Sequence, residues 1–329
     1  MTEKTNTTTT RLLNFFSRRP IRFSRFFARM LASLINNFKI GKTSKVVRLN
    51  VEICLPYLSE EHKHQIARAA ISNEMQSYME FFSIWGSSTE KNVNRIRNVT
   101  GAEYFHEAMK EQKGIILLAP HFGTWEIMNA WFSQHTSMTI MYKPIKNPEA
   151  DQFVRLARSR EKATLVPTDE SGIRQIFKAL KMGGTTVILP DHNPKHGGEM
   201  VKFFDLPLES SNLSAKLIQK TKAKGLLVYA IRNETEDFDM FIEPIDSSIY
   251  EGSPNDGTLV IHKAIEGLIA RYPEHGHWSY KRFRANPELH NIYKIPYEEA
   301  IKKVTTLREK TKLEYLQSLN QSSSHDSNL

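Results

Sequence analysis

The segment GIILLAPHFGTWE, residues 114–126, decides how the rest of the chain is read. Its apolar run stops at Pro120, as a short strand buried on both faces would. His121 follows, Gly123 permits a sharp turn, and Glu126 falls in the first turn of the apolar helical stretch that comes next, where a negative charge is favoured. On one continuous helix a spacing of five would splay His121 and Glu126 apart. Across a strand, turn and helix they can converge. A carboxylate bonded to one ring nitrogen fixes the tautomer and leaves the other nitrogen to take a proton from a nucleophile. The sequence has no GxSxG elbow, so the hydroxyl could come from the substrate; taken alone, the pair reads equally well as structural.

Working outward, MTIMYKP (138–144), TTVILPD (185–191) and LLVYAIR (226–232) are further short apolar runs, separated by helical patterns such as DQFVRLARSREKA and SGIRQIFKALKMG. Strands alternating with helices predict an α/β domain over 96–290, with a mostly parallel sheet flanked by helices. Ligands of such sheets collect at the carboxyl ends of the strands. His121, Lys143, Asp191 and Arg232 are therefore expected on one rim, Asp191 either capping a loop or orienting a site residue.

The 329 residues, 40% apolar and 25% charged, fall in the globular range and suit one large domain or two small ones. The single cysteine, Cys54, excludes a disulfide framework or a thiolate metal site, and nothing beside it would lower its pKa, so it reads as a packed thiol. His192 and His196 have the look of a metal pair but are read as free loop histidines, as are His275 and His277.

The net charge of +9 is unevenly spread: from Arg11 through Arg48 there is no Asp or Glu. Within that stretch Phe23, Phe26, Phe27, Met30, Leu31, Leu34, Ile35 and Phe38 recur at helical spacing, with Arg22, Arg25 and Arg29 between them, which predicts a basic amphipathic helix. Its uncharged run, residues 30–38, is far short of the ~20 apolar residues that cross a bilayer. Residues 11–95 are thus expected to form a helical region lying on an anionic membrane surface, the alternative being a helix packed on its own domain. Residues 1–10 and 320–329 are polar and expected to be disordered, and 291–319 to carry a charged helix as an appendage. No secretory pattern is present, so the bulk is expected in the cytoplasm. A nucleic-acid binder would also suit the charge but has no need of a histidine and a glutamate at a strand end.

HFGTWE has the form H-x-x-x-x-D/E, and it resembles the active-site motif of the glycerophosphate and lysophospholipid acyltransferase superfamily. Together with four further blocks it resembles the lipid A late acyltransferases in particular. YKPIKNPEADQFVRLARSR matches through Lys143, Asn147, Arg158 and Arg160; FKALKMGGTTVILPDHN ends on Asp191; VKFFDLPLESS matches through Phe203, Phe204 and Ser211; WSYKRFR matches through Trp278, Arg282 and Phe283. Asp205 stands where the family usually has glycine, and Tyr280 where it has histidine. The resemblance implies transfer of a laurate- or myristate-class acyl group from acyl-acyl carrier protein to a hydroxyl of a lipid A precursor, on the cytoplasmic face of a Gram-negative inner membrane. It implies His121 as general base held by Glu126, backbone N–H groups around Gly123 as oxyanion donors, and Arg158, Arg160, Lys143 and Asn147 as binders of donor or acceptor groups; Asp191 and Arg232, at strand ends, are expected among the binding residues as well. Acyl-acyl carrier protein is the co-substrate; no cofactor, metal or nucleic acid is implied. Slow thioester hydrolysis is an expected side activity. The alternative is a phospholipid or other glycolipid acyltransferase using acyl-CoA.

Overall fold

The computed structural model describes residues 8–38, 42–194 and 197–326; His196 and most of the expected disordered N-terminus lie outside the described residues. The chain opens with five helices, α1 (Thr8–Arg18), α2 (Ile21–Phe38), α3 (Lys42–Cys54), α4 (Glu60–Gly86) and α5 (Thr89–Val93). The mixed part follows as β1 (Ile96–Thr100), α6 (Ala102–Glu111), β2 (Ile115–Leu118), α7 (Met128–Phe132), β3 (Met138–Met141), α8 (Pro148–Arg160), β4 (Thr164–Val166), α9 (Glu170–Lys181) and β5 (Thr185–Ile188). A hairpin, β6 (Glu199–Phe203) and β7 (Leu206–Ser210), leads to α10 (Leu213–Thr221), β8 (Lys224–Arg232), β9 (Phe238–Pro244), α11 (Pro254–Arg271) and α12 (Tyr297–Asp326).

The seven-stranded sheet has the order β1-β9-β8-β2-β5-β3-β4, and only the β8–β9 pairing is antiparallel. This is the expected α/β architecture with a mostly parallel sheet. β2 lies in the middle, and its side chains alternate between two cores: Ile116 and Leu118 pack with α11 and α12 residues on one face, Ile115 and Leu117 with Phe132 and Val228 on the other. Burial on both faces is why this strand reads as an unbroken apolar run. Since β2, β3, β5 and β8 run in one direction, their carboxyl ends do share a rim.

The β6–β7 hairpin carries no usual turn signal. Phe204 and Asp205 both adopt positive φ, 48° and 61°, the pattern of a two-residue turn normally written Asn-Gly or Asp-Gly. α12 departs from the expected appendage: Ala300, Val304 and Leu307 are buried in the core, Arg308 donates to the carbonyls of Ile53 and Phe204, and the helix continues to Asp326 rather than ending near Leu319. α1 likewise begins at Thr8, inside the stretch expected to be disordered.

α2 packs in an unusual sense. The face turned to α4 is small or polar, with Ser24, Arg25, Ala28 and Ala32 all at most 1% exposed. Four of its large apolar residues face outward, Phe23 39%, Phe26 64%, Met30 44% and Leu34 43% exposed, while Ile21 is buried and Phe27, Leu31 and Ile35 are half-buried. No described helix is long and apolar enough to cross a membrane.

Candidate active site

The turn after β2 is built from backbone pairing. Gly123 sits at φ +55°, and a Cβ there would meet the carbonyl oxygen of Ala230 at 2.1 Å, so both the conformation and the close approach to β8 demand glycine. Its N–H donates to the carbonyl of His275 (3.0 Å), and the next N–H, of Thr124, donates to that of Ala230 (2.9 Å). The oxyanion role expected of Gly123 is therefore corrected: its amide is already committed to holding the turn.

His121 projects from this turn towards β5. Nδ1 lies 2.9 Å from Oδ1 of Asp191, and Oδ2 accepts the backbone N–H of His121 at 3.0 Å. Burial alone would raise the Asp191 carboxyl, but the charge of His121 and these hydrogen bonds override it and hold the group well below the usual carboxylate range. The carboxylate that grips the ring is thus Asp191, not Glu126 as the motif spacing predicts. Nε2 of His121 has no hydrogen-bond partner among the described residues. One face of the ring is covered by His192, parallel to within 4° at 3.6 Å, and His192 is covered in turn by Tyr280 at 4.0 Å. Trp125 meets His121 edge to face at 5.0 Å, and His277 stands 5.7 Å away.

Glu126 faces the other way. Both its oxygens accept from Nη2 of Arg158, at 2.8 and 2.7 Å, and Oε2 also accepts from the Trp85 indole at 2.8 Å. Arg158 is shared with Glu161, 3.5 Å away, whose carboxyl burial pushes up to about 7 against the attraction of the arginine. Arg158 is consequently a buried ion-pair partner rather than an open phosphate ligand.

Arg232 is corrected in the same way. It donates to Glu80 (2.9 Å), to both oxygens of Asn73 (2.9 Å each), and to the hydroxyls of Ser77 and Thr124 (3.2 Å each). Glu80 is fully buried, takes the Thr124 hydroxyl at 2.7 Å, and pairs with the equally buried Arg25 of α2 at 2.5 Å. A hidden charge network thereby ties α2, α4, β8 and the His121 turn together. Asn147 caps α8 by accepting from the Ala150 N–H, Arg160 donates to the Trp85 carbonyl, and Lys143 is exposed. Asn147 and Arg160 are thus held by backbone groups away from His121. The residues that sequence spacing did not bring to the site are Glu80, Thr124, His192, His277 and Tyr280. They come from α4, the β2 turn, the loop after β5 and the segment after α11.

Two hollows lie near the His121 turn, only the first of them lined by the histidine itself. One, enclosing about 540 Å³ of empty space partly open to solvent, is lined by His121, Asp191, Cys54, Phe203, Ile265 and Phe283 among others. Burial raises the Cys54 thiol well above its ordinary value, in keeping with a packed apolar role. The second, about 390 Å³, lies across the sheet under Trp125, Glu126 and Arg158 and is walled by Met128, Phe132, Ile140 and Val228. His121, Asp191 and His192 bring potential metal-ligand atoms within 4.8 Å of one another. The stacked rings point their in-plane lone pairs side by side, so a shared ion at about 2.0–2.1 Å would need one ring to leave the stack.

An imidazole gripped by a strand-end carboxylate, with its second nitrogen beside an apolar hollow, is an arrangement chemically able to take a proton from a hydroxyl. The chain belongs to the bacterial lipid A biosynthesis acyltransferase family, whose model matches residues 10–285. It is 22% identical over 250 residues to the lipid A biosynthesis lauroyltransferase of Escherichia coli (strain K12), covering 75% of this chain and 81% of that protein. A lipid A biosynthesis acyltransferase of Haemophilus influenzae is 24% identical over 265 residues, 78% of this chain and 80% of that one. The palmitoleoyltransferase of E. coli (strain K12) is 22% identical over 251 residues, 75% and 81% of the two chains. The protein is an acyltransferase of lipid A biosynthesis.

Proposed function

We propose that this chain moves a laurate- or myristate-class acyl group from acyl-acyl carrier protein to a hydroxyl of a lipid A precursor, at the cytoplasmic face of the inner membrane. The observation that carries the proposal is His121, gripped at Nδ1 by Asp191 and open at Nε2 beside the apolar hollow. Nε2 takes the proton of the acceptor hydroxyl as its oxygen attacks the thioester carbonyl. The resulting imidazolium is stabilised by Asp191, and its proton passes to the departing thiolate as the carbonyl re-forms. The hollow lined by Cys54, Ile265 and Phe283 offers the acyl tail an apolar wall beside His121. Glu126 shapes the site through Arg158 and Trp85. Water in place of the acceptor gives slow thioester hydrolysis.

The outward Phe23, Phe26, Met30 and Leu34, beside Arg22 and Arg29, suit an anionic membrane surface on which the chain would lie without crossing it. A net charge of +9 suits an acidic carrier protein.

The test is incubation of detergent-solubilised protein with acyl-acyl carrier protein and an under-acylated lipid A precursor, read by mass spectrometry beside His121→Ala. A mass gain of one or two acyl groups that the folded variant does not produce supports the proposal. No gain at any chain length sinks it, and transfer from acyl-CoA to a lysophospholipid would replace it with a phospholipid acyltransferase.

A further inference from the structure

The hydrogen bond from Asp191 fixes where Nδ1 sits, but a ring held at one atom can still rock about that contact. The closest ring contact limiting the plane of His121 is the face-to-face one with His192, 3.6 Å away and 4° from parallel, Trp125 meeting it edge to face at 5.0 Å. His192 is itself backed by Tyr280 at 4.0 Å and 16°. Tyr280 is anchored at both ends: its hydroxyl accepts the Asn193 N–H at 2.9 Å, and its carbonyl accepts from Asn50 at 2.8 Å. Nε2 of His192 is buried without a hydrogen-bond partner among the described residues. The contacts of this imidazole are made through the two faces of its ring.

We propose that His192 and Tyr280 are positioning residues, a two-ring platform that holds the plane of His121 so that Nε2 keeps its aim while the ring gains and loses a proton. When His121 becomes an imidazolium it lies against the face of a second aromatic ring, 3.6 Å away. Burial, with the charge of His121 adding to it, pushes His192 down to about 4, so that it stays uncharged at neutral pH and does not repel the imidazolium. The inference rests on His121 being the base of the proposed reaction.

The experiment compares His192→Phe, which keeps a flat ring and loses both nitrogens, with His192→Leu, which fills similar space without one. Acyl transfer is read as kcat and KM, and the ring protons of His121 by NMR, where a stacked neighbour shifts them upfield. The expected result is a kcat loss of about tenfold for His192→Leu with KM nearly unchanged, and a loss under about threefold for His192→Phe. The upfield shift should survive in the Phe variant and vanish in the Leu variant. Equal kcat in the two variants, whether both high or both low, overturns the platform, as does an unchanged His121 shift in His192→Leu. A wild type that transfers no acyl group overturns the reaction instead, and the NMR comparison still decides whether the ring is held by the stack.

Discussion

Asp191 lies 70 residues beyond His121 in the chain yet reaches it with both oxygens, one on the ring and one on the backbone N–H of the same residue. Fixing side chain and main chain together makes Asp191 the orienting carboxylate. Asp191→Asn should therefore lower turnover by about 10²–10⁴ with the fold intact, because an amide N–H facing Nδ1 favours the wrong tautomer. Steady-state transfer with circular dichroism on the same sample checks this; near-normal turnover in a folded Asp191→Asn would remove it from the mechanism.

Glu126 neutralises a buried arginine, so its removal should first be felt in stability. Glu126→Ala leaves Arg158 with Glu161 alone, and a loss on the order of 3 kcal/mol is expected in urea denaturation. Adding Arg158→Met should recover much of it by removing the stranded charge. Lost turnover with undiminished stability would instead give Glu126 a part in the chemistry.

Among the described residues, Glu80 is the carboxylate that pairs with both Arg25 and Arg232. Glu80→Ala strands two buried guanidinium groups and unties the Thr124 hydroxyl, and should cost about 3–5 kcal/mol. Loosening of the His121 turn follows, measurable as faster amide exchange at Gly123 and Thr124. Exchange at wild-type rates would show that the turn does not depend on this network.

Stability should rise as pH increases from about 4 to about 6.5. Burial pushes His192, His262 and His277 down to about 4 and His275 to about 3, so the unfolded chain takes up protons in that window while the folded chain does not. Their contribution is complete above the ordinary histidine pKa and is lost as pH falls towards the folded values. Glu161 works in the opposite direction: raised to about 7, it holds a proton in the fold that the unfolded chain has already released, costing stability as pH rises. Glu161→Gln should therefore steepen the rise. Urea midpoints taken across this range test both signs, and a flat profile would contradict the buried histidines.

Replacing Phe23, Phe26, Met30 and Leu34 together with serine should weaken co-sedimentation with anionic vesicles at least about 100-fold, since the side chains removed are those available to enter the lipid. The urea midpoint should hardly change, because these residues are not core. Unaltered vesicle binding would mean that α2 is not the membrane contact.

The sequence alone determined the sheet's central strands, because β2 and β8 are buried on both faces and a doubly buried strand is an uninterrupted apolar run. It also placed His121 at a strand end, where the apolar run stops and Gly123 allows the turn. Edge strands escaped it: β1, IRNVT, has one side open to solvent and little apolar signal, and the β6–β7 turn uses Phe204 and Asp205 where glycine would have announced it. The apolar stripe of α2 was legible as helical spacing, but not which way it faces. That was decided by Arg25, which enters the interior to meet Glu80 and turns Phe26 and Met30 outward. Site partnerships lay furthest out of reach, since Glu126 is near His121 in sequence and Asp191 is near it only in space. Spacing along a chain limits which side chains can share a local element, whereas the pairing of β5 beside β2 decides which strand-end carboxylate meets the imidazole.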